Sequence, residues 1–159
     1  MIVIGIDPGH EQSALVGYDT ETRQIRDAKF GDNDKMEDFV CSPRGRDYHV
    51  LAIEMVGCYG LAVGREVFET CVQIGRFECL WSKPKDRILR QTIKAHLCNS
   101  TKANDSNIRR ALMDRWGGDL SVKKGGPLAG IKTHLWAALA VAVAWAELRG
   151  KQHELGDAA

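Results

Sequence analysis

The sequence predicts a single α/β domain built on a mixed β-sheet. Three observations lead there. Two short runs, Ile2-Val3-Ile4-Gly5-Ile6 and Val50-Leu51-Ala52-Ile53, are continuously apolar and rich in β-branched residues, as strands buried on both faces are. Each runs into an acid, Asp7 or Glu54. Around and after them, strand-like and helix-like patterns succeed one another in an order that fits a layered sheet.

Taken in order, Ile2–Asp7 is the first strand, closed by the turn formers Pro8 and Gly9. Ser13–Asp19 reads as a second strand, Thr20–Arg23 as a polar turn and Gln24–Phe30 as a third strand, an antiparallel meander. Gly31-Asp32-Asn33-Asp34 reads as a loop, and Met36, Phe39 and Val40 suggest a short helix. Val50–Val56 is the second buried strand. Residues 60–81 have a helical period, with Phe68, Cys71, Val72, Gly75 and Cys79 as one stripe that Val67, Ile74 and Leu80 widen. Gly60, Gly64 and Gly75 lower helix propensity there, which suggests tight packing or close approach of a ligand.

Pro84 ends that pattern. Arg87–Thr92 reads as a strand, Ile93–Leu97 as a helical turn and Asn99–Asn104 as a basic loop. Asp105 or Ser106 would cap a helix that buries Ile108, Leu112 and Met113 and stops at Gly117-Gly118. Residues 119–130 read as a mobile loop. An Ala-rich helix runs from about Thr133 to Arg149. One domain over residues 1–150 with a polar tail, 151–159, accounts for the 159 residues. A meander followed by single crossovers is not the order of a doubly wound nucleotide-binding fold.

Composition excludes several classes. Five cysteines, an odd number with no CxxC spacing, form neither a disulfide framework nor a zinc ribbon. Cys71 and Cys79 read as small core residues. No signal peptide opens the chain, and the apolar stretch Leu135–Trp145 is too short to span a bilayer, so a cytoplasmic protein without membrane contact is expected. The net charge is only +1, but basic residues concentrate between Lys83 and Lys124 and acids between Asp19 and Asp38. A basic face is therefore expected on a nearly neutral chain.

The acids carry the chemistry. A carboxylate at the end of a buried strand is costly to desolvate unless compensated, and a divalent cation does that well. Alternatively, Asp7 merely begins an Asp-Pro-Gly turn. Two unrelated buried strands each delivering an acid favour a shared site. His134, at the head of the last helix, is the third candidate, with a structural histidine bonded to nearby backbone as the other reading.

Gly5-Ile6-Asp7-Pro8-Gly9, Ala52-Ile53-Glu54, Thr92-Ile93-Lys94 and His134-Leu135-Trp136-Ala137-Ala138-Leu139-Ala140, in that order, resemble the motifs of RuvC-type Holliday junction resolvases. The likeness is greatest to the small RuvC-like proteins of bacteriophages, whose sequences are also similar to Glu66–Thr70 and Gly75-Arg76-Phe77. The resemblance implies a ribonuclease-H-like, three-layer fold with a mixed five-stranded sheet. It implies a metal-dependent endonuclease that nicks four-way and other branched DNA by phosphodiester hydrolysis. Asp7, Glu54 and His134 would hold two Mg²⁺ or Mn²⁺ ions, and Lys94 would stand near the scissile phosphate unless it is a solvated surface lysine. One ion would acidify the attacking water and the other offset charge on the leaving oxygen.

Lys102, Arg109, Arg110, Lys123 and Lys124 are the expected phosphate contacts. A substrate with near-two-fold symmetry implies a homodimer. No nucleotide cofactor is expected, because an actin-like site needs a second domain. Tyr59 and Phe68 are candidate wedges at a junction, or core or dimer contacts.

The chain departs from the family twice. Ala137 stands where the last helix usually offers a second metal-facing acid. Asp105 stands where cellular resolvases tend to have a lysine, so it is either a helix cap or the missing acid. An alternative reading follows: a branched-DNA-binding protein whose catalysis is weakened.

Overall fold

The computed structural model describes every residue except Cys58, Tyr59, Leu61 and 157–159, with side chains described as far as Arg149. The candidate wedge Tyr59 thus lies outside the described residues. The sheet is mixed and five-stranded, β1 (Ile2–Asp7), β2 (Gln12–Asp19), β3 (Ile25–Asp32), β4 (Val50–Met55) and β5 (Lys85–Leu89), in the order β3-β2-β1-β4-β5. β1, β2 and β3 pair antiparallel as the expected meander, while β4 pairs parallel to β1 and β5 parallel to β4. The apolar runs of β1 and β4 occupy the middle, where both faces are covered.

Strand alternation divides the core in two. Ile4, Ile6, Leu51 and Ile53 point to the layer of α1 (Asn33–Cys41) and α3 (Arg65–Leu80), where Met36, Val40, Ile74 and Phe77 meet them. Between these helices lies a single turn, α2 (Pro43–Arg46). Val3, Ala14, Val16 and Ala52 point to the other layer, formed by α4 (Arg90–Cys98), α5 (Asp105–Arg115) and α6 (Leu135–Gly156). The described part of α6 is apolar on nearly every side, from Ala138 to Ala144, and is buried accordingly. Its alanines let it lie directly on β1. A side chain at Gly5 would press on the Ala138 carbonyl and stand 2.7 Å from the Ala142 amide nitrogen. That close approach fixes the head of α6 over the end of β1. Among the described residues no helix is long and apolar enough to cross a membrane.

Several expectations are corrected. Residues 31–34 are not a loop, because β3 runs straight into α1. α3 buries Thr70, Gln73, Ile74 and Phe77, leaving Phe68 61% and Val72 66% exposed. The polar pair can be buried because both are satisfied: Thr70 donates to the Glu66 carbonyl and the Gln73 amide to Glu37. Cys79 is exposed and Cys71 half-buried, so neither is a core residue, and Phe68 is not one either. Added Cβ atoms at Gly60, Gly64 and Gly75 would meet nothing within 4 Å, so these glycines mark no tight packing.

Arg90, Gln91 and Thr92 belong to α4, not to a strand. The cap of α5 is Asn104, which forms a reciprocal capping box with Asn107; Asp105 is the first helical residue. Residues 119–130 are no loose loop. They begin in a 3₁₀ turn, Gly118–Val122, and Leu128 is fully buried. The last helix continues past Arg149 to Gly156.

Candidate active site

Asp7 and Glu54 come together because of register. Ile6 pairs with Ile53 in the parallel β1–β4 ladder, so the acids extend adjacent strands, about 4.8 Å apart, at the same end of the sheet. Two residues beyond Gly5 and Ala52, both point to the α6 layer. Their side chains are only 18% and 12% exposed. Burial pushes both carboxyls above their ordinary range, and a hydrogen bond from His134 to Asp7 and the positive charge of Arg90 beside Glu54 offset this only in part.

His134 enters through the strained head of α6. Thr133, a β-branched residue, has φ 42°, in the left-handed region. The turn it makes brings His134 Nδ1 to 3.1 Å from Asp7 Oδ2. On its other side the imidazole stacks on Phe30, with ring centroids 5.1 Å apart and planes at 16°. Phe30, Ala14 and Asp7 form one row across β3, β2 and β1, and the small Ala14 between them leaves space above for the imidazole.

Arg90 is a site residue that sequence reasoning misses. It follows β5 directly as the first residue of α4 and donates from Nη1 to both oxygens of Glu54, at 2.9 and 3.2 Å. Its Nη2 donates to Asp105, so one guanidinium joins β4 to the start of α5. The available signal is a basic residue just past the apolar Ile88-Leu89 of a strand that pairs with β4. Lys94, one turn further along α4, is not among the side chains lining the cleft. Arg90, not Lys94, is the cation of α4 that meets the acids.

Asp7, Arg90, Asp105 and His134 line a cleft of about 480 Å³ together with Ile108, Thr133, Trp136 and Ala137, and Glu54 is joined to it through Arg90. Ala137 does face it, without a donor atom. The cleft continues past Trp136 to Arg109 and Lys132, with the Arg109 guanidinium 5.1 Å from the Trp136 ring centre. The five expected phosphate contacts, Lys102, Arg109, Arg110, Lys123 and Lys124, are all exposed. Arg110 is already paired with Asp114 and Asp119. Lys132 is an addition found only in three dimensions.

The donors suit a hard or borderline divalent ion: carboxylate oxygens from Asp7 and Glu54 and an imidazole nitrogen from His134. The burial of the two carboxylates without full compensation is what a cation would relieve. Yet among the described residues no three His, Cys, Asp or Glu side chains are grouped as a ready-made cage. Arg90 engages both Glu54 and Asp105.

No family model and no curated protein matches the sequence. The solved structures do match. The structure of Thermus thermophilus RuvC superposes with a TM-score of 0.72 over 91% of this chain and 92% of that one, at 17% identity. The chain has the RuvC fold. A second T. thermophilus RuvC structure, in complex with Holliday junction substrate, matches with the same TM-score and coverage at 16% identity. The three-layer, ribonuclease-H-like architecture expected from the motifs is thus the observed one, and the RuvC fold here carries its paired acids at the adjoining ends of β1 and β4.

Proposed function

We propose that this protein is a metal-dependent endonuclease that nicks Holliday junctions and other branched DNA. The observation that carries this reading is the meeting of Asp7 and His134 at one cleft of a RuvC fold, with Glu54 joined to that cleft through Arg90 and the basic side chains Arg109 and Lys132 beside it. Asp7 and His134 would hold a Mg²⁺ or Mn²⁺ ion, with the Glu54 carboxylate nearby on Arg90. Such an ion, when bound, acidifies water and offsets phosphate charge. The protein's own part is orientation. Phe30 and Asp7 hold the imidazole from two sides, and the strained Thr133 turn aims it into the cleft. Arg90 presents a permanent positive charge beside the carboxylates, where an incoming phosphate otherwise meets repulsion. Arg109, Lys132 and the exposed lysines draw the DNA backbone without reading bases.

Two symmetric nicks call for two copies, and we propose a homodimer. The outer stripe of α3, with Phe68 and Val72 exposed, supports a self-complementary apolar contact. A second reading, a branched-DNA-binding protein of weakened catalysis, is favoured by Ala137, which faces the cleft with no ligand to offer.

Cutting of a labelled synthetic four-way junction, with Mg²⁺, with Mn²⁺ and with chelator, separates the two. Turnover that requires either ion supports the nuclease, and tight binding with no turnover supports the alternative. Neutralising Lys102 and Arg109 together should reduce the salt dependence of binding, by about 0.9 in log–log slope for each phosphate that loses its cation. Arg110, already paired, should contribute less.

A further inference from the structure

Resting on that reading, we propose that the site takes one divalent ion, at Asp7 and His134, and that Arg90 is its built-in second positive centre, fixed on Glu54 and Asp105. The two ions expected from the family resemblance do not suit this arrangement.

Three independent features support it. First, Arg90 holds both oxygens of Glu54 and one of Asp105, so an ion that needs Glu54 must first displace a guanidinium and one at Asp105 must share that carboxylate with it. Arg90 is only about a third exposed and starts a helix whose Ile93 and Leu97 are buried, so its backbone is anchored in the core. A displaced guanidinium there would lose both of its carboxylates. Because arginine keeps its proton throughout the accessible pH range, this positive charge cannot be titrated away.

Second, Ala137 lines the cleft without a donor, which leaves Glu54 and Asp105, both held by Arg90, as the further acids at hand. Third, charge is balanced by one ion. Asp7, Glu54 and Asp105 bring three negative charges and Arg90 one positive, leaving two, which a single divalent ion cancels. A second ion would leave the same cluster with two uncompensated positive charges.

The test is a count of bound Mn²⁺ by electron paramagnetic resonance and by calorimetry on the full chain, without DNA. The unaltered protein should bind one ion, lost in Asp7→Asn. Arg90→Ala and the uncharged, similarly sized Arg90→Gln free Glu54 and Asp105, and each should bind two. Arg90→Ala combined with Asp105→Asn should return to one. Circular dichroism checks that each variant is folded. Two ions in the unaltered protein, or no gain in either Arg90 variant, would overturn the proposal while leaving a metal-dependent nuclease intact. No bound ion in the unaltered protein would overturn the metal reading on which it rests.

Discussion

Asp7 and Asp19 stand at opposite ends of the same pair of strands, since Ile2 pairs with Asp19 and Asp7 with Ala14. Both side chains are largely shielded, at 18% and 7% exposed, yet their acidities diverge. Asp19 accepts from Arg26 at 2.7 Å and from the backbone amides of Glu21 and Thr22, and its pKa falls to about 2. Asp7 has one imidazole partner, and burial carries its carboxyl upward. Near Asp19 the same economy recurs. Burial works against Glu147, but hydrogen bonds from Arg115 and His96 outweigh it and hold that carboxylate below its ordinary range. One end of the sheet satisfies its acids and is structural. The other leaves them under-compensated, which costs stability and prepares a site for positive charge.

The largest effect that sharpens this contrast is on cutting. Asp7→Asn and Glu54→Gln should each slow junction cleavage by about three orders of magnitude or more, the scale of several kcal/mol of lost electrostatic stabilisation. Junction binding in the same gel-shift series should change little, because one charge among many phosphate contacts is a small term. Asp19→Asn should cut normally per folded molecule; an equal loss there would erase the distinction between the two ends.

Next in size is His134→Ala, for which single-turnover cleavage should fall about 10- to 100-fold. If it cuts like the unaltered protein, the imidazole is a structural bridge between Phe30 and Asp7.

Stability should move in opposite directions at the two ends. Asp19 has a folded-state pKa below its unfolded value, so its contribution is present above about pH 4 and is lost as pH falls towards about 2. Asp19→Asn should therefore lower Tm at neutral pH, with the deficit closing over that window. Asp7 has a raised folded-state pKa, so its cost is absent at low pH and grows as pH rises above its unfolded value. Asp7→Asn should raise Tm slightly at pH 7, each kcal/mol reading as roughly 2–4 °C in a chain of this size. A fall in Tm would mean that His134 already stabilises the ionised Asp7 in full.

How far the chain can be read unaided depends on how local the cause is. Arg87–Thr92 has the apolar pair Ile88-Leu89 and no turn former at its end, so the sequence carries β5 past Leu89 and hides the start of α4 at Arg90. The inward face of α3 is hidden for a different reason. Phe68 and Val72 look like core by hydropathy, but Thr70 and Gln73 take the buried positions once Glu66 and Glu37 supply their hydrogen bonds. A buried polar residue is legible only when its partner is known.

By itself the sequence determined the strand-ending acids, the meander, the buried strand that follows and the apolar last helix, because hydropathy period and turn chemistry act within a few residues. It also determined that Gly5 would lie in a buried strand, though not what would lie against it. Only the tertiary structure decided which charges meet. The register of β1 on β4 sets Asp7 beside Glu54, and the close packing of Gly5 on α6 brings His134 above Asp7. The step from β5 into α4 places Arg90 between Glu54 and Asp105. The physical reason is that electrostatic partnership depends on distance through space, and distance along the chain carries almost no information about it.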